Sequence, residues 1–426
     1  MALDFSKLPP EERPPEPPSR FVWTVVFFVI TLLAILAVLM LWPAGEPTNG
    51  AWFWTCVTLF PSGIAAFVVS RRYSVYEGRR LDAQAWNDAR ERHNTQAFAR
   101  ESIPVLVLGA AIRVTENDAE NDVQHIMDRS LMPAAQASPH EENESIVTRW
   151  LQPVEARLAS DDAERHEFIL DWLYGCLLKD LSDAIGALPP DLPLRVVIDL
   201  SGYRGGVDPV AIWQGRWTGL DMRIAHAERA AEQLDTMALD AWLDDRVNLL
   251  SKTALLLISV SLSQVIEGTP LEGTAEAGVG LLLASTALRR EYKLAPIAAI
   301  HRPVRADNDR VDHALTNALR WGGAEPKSLE NVWTTGFDGE SGGPLNSALS
   351  QAGTTSGQEI ESKACDLDLT VGHTGPSAGW LAAACAVHWT NQSAASQLIV
   401  QHHFDHTVAA VVVAAHNESM KSSTGA

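Results

Sequence analysis

The chain has 426 residues, 46% of them apolar, enough for one large domain or two medium ones with a substantial core. Lys and Arg total 33 against 53 Asp and Glu, a formal charge of −20, and a surface of that sign repels phosphate backbones and excludes a nucleic-acid binder. Four scattered cysteines, Cys56, Cys176, Cys365 and Cys385, form no CxxC and no framework, which fits a reducing compartment and argues against disulfides and metal centres alike.

Residues 1–20, with "LPPEERPPEPPSR", are rich in Pro and charge and are expected to be extended and disordered. Residues 21–42, "FVWTVVFFVITLLAILAVLMLW", carry no charge, and as a helix they reach roughly 33 Å, enough to cross a hydrocarbon core. A second apolar run, residues 51–70, follows the turn-rich "PAGEPTNG", so the two form a transmembrane hairpin. The first run is too long for the apolar core of a signal peptide and lacks a cleavage site. Lys7, Arg13 and Arg20 precede the hairpin, Arg71, Arg72, Arg79 and Arg80 follow it, and the loop holds only Glu46. Both termini are therefore expected in the cytoplasm. Residues 71–100 are polar and helix-forming, a juxtamembrane helix.

Apolar strands then alternate with helices. "IPVLVLGAAIRV" reads as a buried strand, and Thr115–Glu144 as an acidic loop. Phe168–Leu188 reads as a helix ending before Pro189, and "LRVVIDLS" as a strand. "AEQLDTMALDAWLDDRVNLLSK" has the pattern of an amphipathic helix, and "TALLLISVSLS" and "AGVGLLLAS" are strands. "RVDHALTNALRWGG" is a helix stopped by its glycines, "ENVWTTG" a strand end, "PSAGWLAAACAVHW" a helix, and two strands close the chain. This alternation predicts an α/β layered domain with buried mixed sheets. No short internal repeat is visible. The last residues, 417–426, are expected to be a disordered tail.

Three further motifs carry less. "SGYRGGVDP", Ser201–Pro209, is Gly-rich after a strand but lacks GxGxxG and a P-loop Lys, and reads as a turn. "GESGGP" around Ser341 has no matching His and Asp in an all-β setting. "QHHFDHT" groups His402, His403 and His406 around Asp405, but adjacent side chains of a strand point to opposite faces, so no metal site is expected.

From about Thr253 to His416 the order of motifs resembles the C-terminal half of the thiolase-like superfamily, the β-ketoacyl-ACP synthases above all. "EGTAEAGVGLLLAS" is similar to the family's "GEGAGVLVL", with Glu276, Gly278 and Gly280 in register. "VWTTG" stands where the family has "HGTGT", "DLDLTVGHTGPSAGW" where it has "KSxxGHxxGAAG", and "QHHFDHTVAAVVV" where it has "NSFGFGGxNAVLVL". The resemblance implies a pseudo-symmetric α-β-α-β-α domain, with residues 101–250 as its first half and 251–416 as its second. It also implies condensing chemistry, in which a Cys carries the acyl group and two His donors stabilise the developing oxyanion.

Transferred residue by residue, that chemistry is incomplete. The second His is His373, the first falls on Thr335, and the supporting Lys falls on Asp368, an anion where the family has a cation. The Gly-rich gating loop shrinks to Phe404 and Asp405, and the nucleophile's region, Arg229–Met237, holds Thr236 but no Cys. Cys176 and Cys385 fit apolar helix faces and read as core thiols. The resemblance therefore implies a catalytically inactive scaffold, with His373, Thr335 and Asp368 as vestigial positions and no cofactor. As partners it implies a homodimer or heterodimer. Degenerate members also occur among bacterial secretion genes, type VI systems included, which suggests an accessory or effector-loading role at the inner membrane. Two alternatives stay open: an acyltransferase with a relocated nucleophile (Cys176, Cys365 or Thr236), and a membrane immunity or regulatory protein.

Overall fold

The computed structural model describes residues 9–141, 144–244, 250, 252–339, 341–354 and 363–415; the expected tail, 417–426, lies outside them. The chain divides into two units, Ala2–Glu101 and Ser102–Ala426.

In the first unit, Arg20–Leu41 forms α1, capped by Ser19, whose side chain accepts from the Val22 amide. None of its residues is buried, and Phe21, Phe28 and Leu32 are exposed. Ala51–Trp54 (α2) passes through a π-helical turn, Thr55–Leu59, into Phe60–Glu101 (α3). Pro61 brings no amide to the ladder there, a local cause for the irregular turn. Residues 71–100, expected to form a separate helix, thus continue the helix of the second apolar run. Both helical runs are long and apolar enough to cross a membrane. Thr31, Thr55 and Thr58 each donate to the carbonyl four residues earlier, so these hydroxyls need no water. The Pro-rich segment, expected to be extended and disordered, has no helix or strand from residue 9 to 19 but is tied down rather than loose. Asn87 on α3 accepts from the Glu12 amide and donates to the Glu12 carbonyl, both at 2.9 Å.

The second unit opens with Val105–Arg113 (β1) and the short helix Val123–Met127 (α4). Ala134–Ala137 (β2) and Ser145–Thr148 (β3) form a hairpin within the stretch expected to be a loop. Asp162–Gly186 (α5), Leu194–Ser201 (β4), Pro209–Gly219 (α6) and His226–Arg229 (β5) follow. Then come Ala238–Asp244 (α7), Ala254–Ser261 (β6) and Ala277–Ala284 (β7). The rest comprises Thr286–Tyr292 (α8), Ala298–Ile300 (β8), Val304–Asp307 (β9), Val311–Gly322 (α9), Leu329–Thr335 (β10) and Gly342–Thr354 (α10). Lys363–Asp366 (β11), Leu367–Thr370 (α11), Ala378–Ser393 (α12), Ser396–His402 (β12) and His406–Ala414 (β13) end it.

The strands join in the order β11-β10-β12-β13-β8-β1-β7-β6-β4-β5, with β9 on β13. Setting aside the β2–β3 hairpin, and counting β8 with β9 as one strand, each half has five strands in the order 3-2-4-5-1. In each half the fifth strand is antiparallel to both its neighbours, and the second, third and fourth run parallel. The two first strands, β1 and β8, pair antiparallel at the join. The chain is therefore a structural duplication that shows no repeat in its sequence. The boundary also moves: β6 and β7 complete the first half, which ends at residue 284 rather than 250.

Three apolar clusters set the layers. α5 and α6 cover the outer face of the first half, and α9 and α10 that of the second. The third cluster lies between the halves around α12, whose residues from Ala378 to Val387 are all buried. The layered α-β-α-β-α domain implied by the resemblance is the one found. On β7, a Cβ at Gly278 would lie 2.9 Å from Leu173 and one at Gly280 2.7 Å from Leu181, so these glycines let α5 settle on the sheet. Glu276, fully buried, ion-pairs with Arg165 at 2.6 Å and accepts from the Leu151 and Ser263 amides. That is the satisfaction a buried carboxylate requires.

Candidate functional site

A cavity of about 960 Å³ opens where the two halves meet. It is lined by Leu234 and Asp235 before α7, Thr335 at the end of β10 and Gly336 after it, His373 and Gly375 before α12, and the turn after β12. They come from four separate segments and include Thr335 and His373 of the positions the sequence singled out, but not Asp368.

The segment Ala231–Met237, expected to open a helix, is a loop instead. Its backbone is committed elsewhere: the Leu234 amide donates to Asp199, the Leu234 carbonyl accepts from Trp380, and Asp235 caps the Met237 amide. Trp242 of α7 stacks on Trp380 of α12, so the central layer has one short and one long helix.

Asp368, on α11, binds the Thr335 hydroxyl at 2.8 Å and the Gly336 amide at 2.6 Å, and lies 3.3 Å from His373 Nδ1. Its carboxylate sits behind the wall rather than in the cavity, and it ties Thr335 to His373. The hydrogen bond that His373 donates to Asp368 raises the His373 pKa above its ordinary value, against the opposing pull of burial. The His373 side chain is 45% exposed. Gly372 holds φ at +109°, and a Cβ there would meet Ala275 at 2.8 Å, so the glycine of the Gly-His pair is a geometric necessity of this corner.

The described residues bring no thiol to the cavity wall. Cys385 is fully buried on α12, its pKa pushed well up by burial and then by Cys365 nearby. Cys365 is buried on β11, and burial also raises Cys176, on α5. Thr236 is buried and donates to Gln401 at 3.1 Å. The Ser341 hydroxyl lines the cavity but donates to Asp338 at 2.7 Å within a local turn. A polar chain the sequence did not reveal, Asp199–Ser259–Ser377, runs from β4 through β6 to the foot of α12, at 3.1 and 2.9 Å. Burial raises the Asp199 pKa. Ser201–Pro209 is a turn as expected, held by Glu167, which accepts from the Gly206 and Val207 amides.

The His-rich turn is organised by Asn308, which donates to the carbonyls of His403 and Phe404. His402 and His403 do diverge, His402 toward Phe337 and His403 toward His406. The adjacency rule held, yet it missed that a tight turn returns His406 to the side of His403, with their rings stacked at 4.4 Å.

No family model matches this sequence, and no curated protein matches it. Solved structures do. The ishigamide ketosynthase/chain length factor shares 13% identity, covering 73% of this chain and 99% of its own at a TM-score of 0.48. An acetyl-CoA acetyltransferase from Syntrophomonas wolfei shares 8% over 73% and 99%, at 0.46. The peroxisomal 3-ketoacyl-CoA thiolase of Saccharomyces cerevisiae, described as five-layered and built from two core domains of identical topology, shares 8% over 74% and 98%, at 0.42. The duplicated strand order and the layers carry the fold of this chain on their own.

Proposed function

We propose that this chain is a membrane-anchored, thiolase-like protein that does not condense acyl groups and serves as a scaffold or adaptor for a protein partner. One observation carries the reading: Asp368 stands where the resemblance calls for an ammonium, and it is bonded to Thr335, where the resemblance calls for a second imidazole. Of the two positions where the resemblance calls for an imidazole to stabilise an oxyanion, only His373 keeps one. Without a thiol beside it, the acyl group has no carrier.

The anchor belongs to the same reading. Trp42, Trp52 and Trp54 gather at the loop end of the hairpin and arginines at the other, which supports both termini facing the cytoplasm of a bacterial inner membrane. A homodimer or heterodimer, and an accessory place in a secretion system, are its natural extensions. The test is exposure of the full-length, detergent-solubilised chain to a thiol-reactive acyl analogue, read by intact mass. The expected result is no stoichiometric adduct; complete labelling of one cysteine, lost when that cysteine is replaced, would sink the reading.

An acyltransferase has one observation in its favour, the Asp368–His373 pair, which is the arrangement of a general base and its orienting carboxylate. It lacks a nucleophile: among the described residues no hydroxyl or thiol is hydrogen-bonded to His373.

A further inference from the structure

We propose that Asp235, His403 and His406 form a binding site for a divalent transition metal at the rim of the cavity, and that Arg305 competes with the metal for it. One potential ligand atom from each of the three residues lies within 4.8 Å of the others. Zinc or cobalt held at about 2.1 Å would bring such atoms to about 3.4 Å from one another, a contraction that side-chain rotation supplies. Two imidazoles and one carboxylate suit these ions, and three protein ligands leave a fourth place for water or for a group in the cavity.

Two independent features point to a cation. The first is His406, whose Nδ1 is 2.6 Å from Asp405. With the proton held there, Nε2 presents its lone pair, the carboxylate–histidine arrangement that orients metal ligands. That Nε2 already faces a positive group, the Arg305 guanidinium at 2.8 Å, which also lies 3.7 Å from Asp235. The Arg305 side chain is half exposed and free to swing out. The second is His403, whose Nε2 is buried and has no hydrogen-bond partner among the described residues. A buried ring nitrogen without a partner is costly unless something binds it. Asn308 and the His403 amide, which donates to the His406 carbonyl at 2.7 Å, fix the turn that presents both rings.

The test uses the full-length, untagged protein in detergent, stripped with chelator and titrated with Co²⁺ alone, reading visible d–d absorption and bound cobalt. One ion per chain is expected. His403→Ala and His406→Ala should each abolish the absorption, and Asp405→Asn should weaken binding roughly tenfold. Arg305→Gln should bind more tightly than wild type, because it frees both His406 and Asp235. His226→Ala, on an exposed histidine of β5, should bind as wild type. Melting of each stripped variant, with His403→Gln as a milder substitute, separates lost binding from lost fold. The proposal is overturned if neither wild type nor Arg305→Gln takes up stoichiometric cobalt, or if His403→Ala binds like wild type.

Discussion

Asp368 and His373, five residues apart, meet at 3.3 Å because α11 and the Gly372 corner fold the chain back on itself between them. The same carboxylate holds the end of β10 through Thr335 and Gly336, so one side chain fixes both walls of the cavity's floor.

That pairing has a pH signature. The folded-state pKa of His373 lies above its ordinary value of 6.5, so the stabilisation from the pair is complete below that pH and is lost as pH rises through the folded-state value. Asp368→Asn should return the His373 imidazole toward its ordinary titration, followed by NMR. The melting-temperature difference between the two proteins should shrink as pH rises above 6.5.

Asp368→Ala should do more, because it strands the Thr335 hydroxyl and the Gly336 amide. A cost of about 1–3 kcal/mol for each unsatisfied buried group is expected, measured by thermal or denaturant melting.

Arg165 and Glu276 bind the inner end of α5 to β7 in a site with no water access. Glu276→Ala should destabilise by about 3–5 kcal/mol, since it leaves a guanidinium buried without its partner. Glu276→Gln, which keeps one acceptor, should cost less.

Gly280→Val places branched carbons against Leu181, where even a Cβ would lie 2.7 Å away. Overpacking of about 1–3 kcal/mol should follow, with α5 lifting from the sheet as the visible consequence in near-ultraviolet circular dichroism.

The proposed hairpin topology makes its own forecast. A cysteine at Asn49 in a Cys56→Ser background should react with a membrane-impermeant maleimide in intact cells, and one at Ser74 only after permeabilisation. Reversed labelling would invert the assigned orientation.

Much of this was legible in the sequence because local patterns survive in local structure. The buried strands β1, β4, β6, β7, β10, β12 and β13 announced themselves as apolar runs, α9 stopped at its glycines with Gly323 in the left-handed region, and "EAGVG" encoded both a satisfied carboxylate and a helix seat. Thr335, Asp368 and His373 were named from motif positions and do converge. What stayed hidden was non-local. The loop at Ala231–Met237 has a helical pattern, overridden by bonds to Asp199 and Trp380. Asp368 looked like a repulsive charge because its donors lie on another segment. Asp235 and Arg305 joined His403 and His406 only through the fold, and the His403–His406 spacing across a turn was the one signal that could have found them.

The duplicated sheet also sets a timetable. β1 is the first strand of the domain to be synthesised, yet Leu106 pairs with Ala284 and Val105 with Ile300, so both of its neighbours arrive late. Until then the nine residues of β1, all but Arg113 apolar or glycine, wait beside the ribosome without a ladder. Such long-range closure is slow and exposes sticky edges, which makes the nascent chain of this protein a natural client for chaperones.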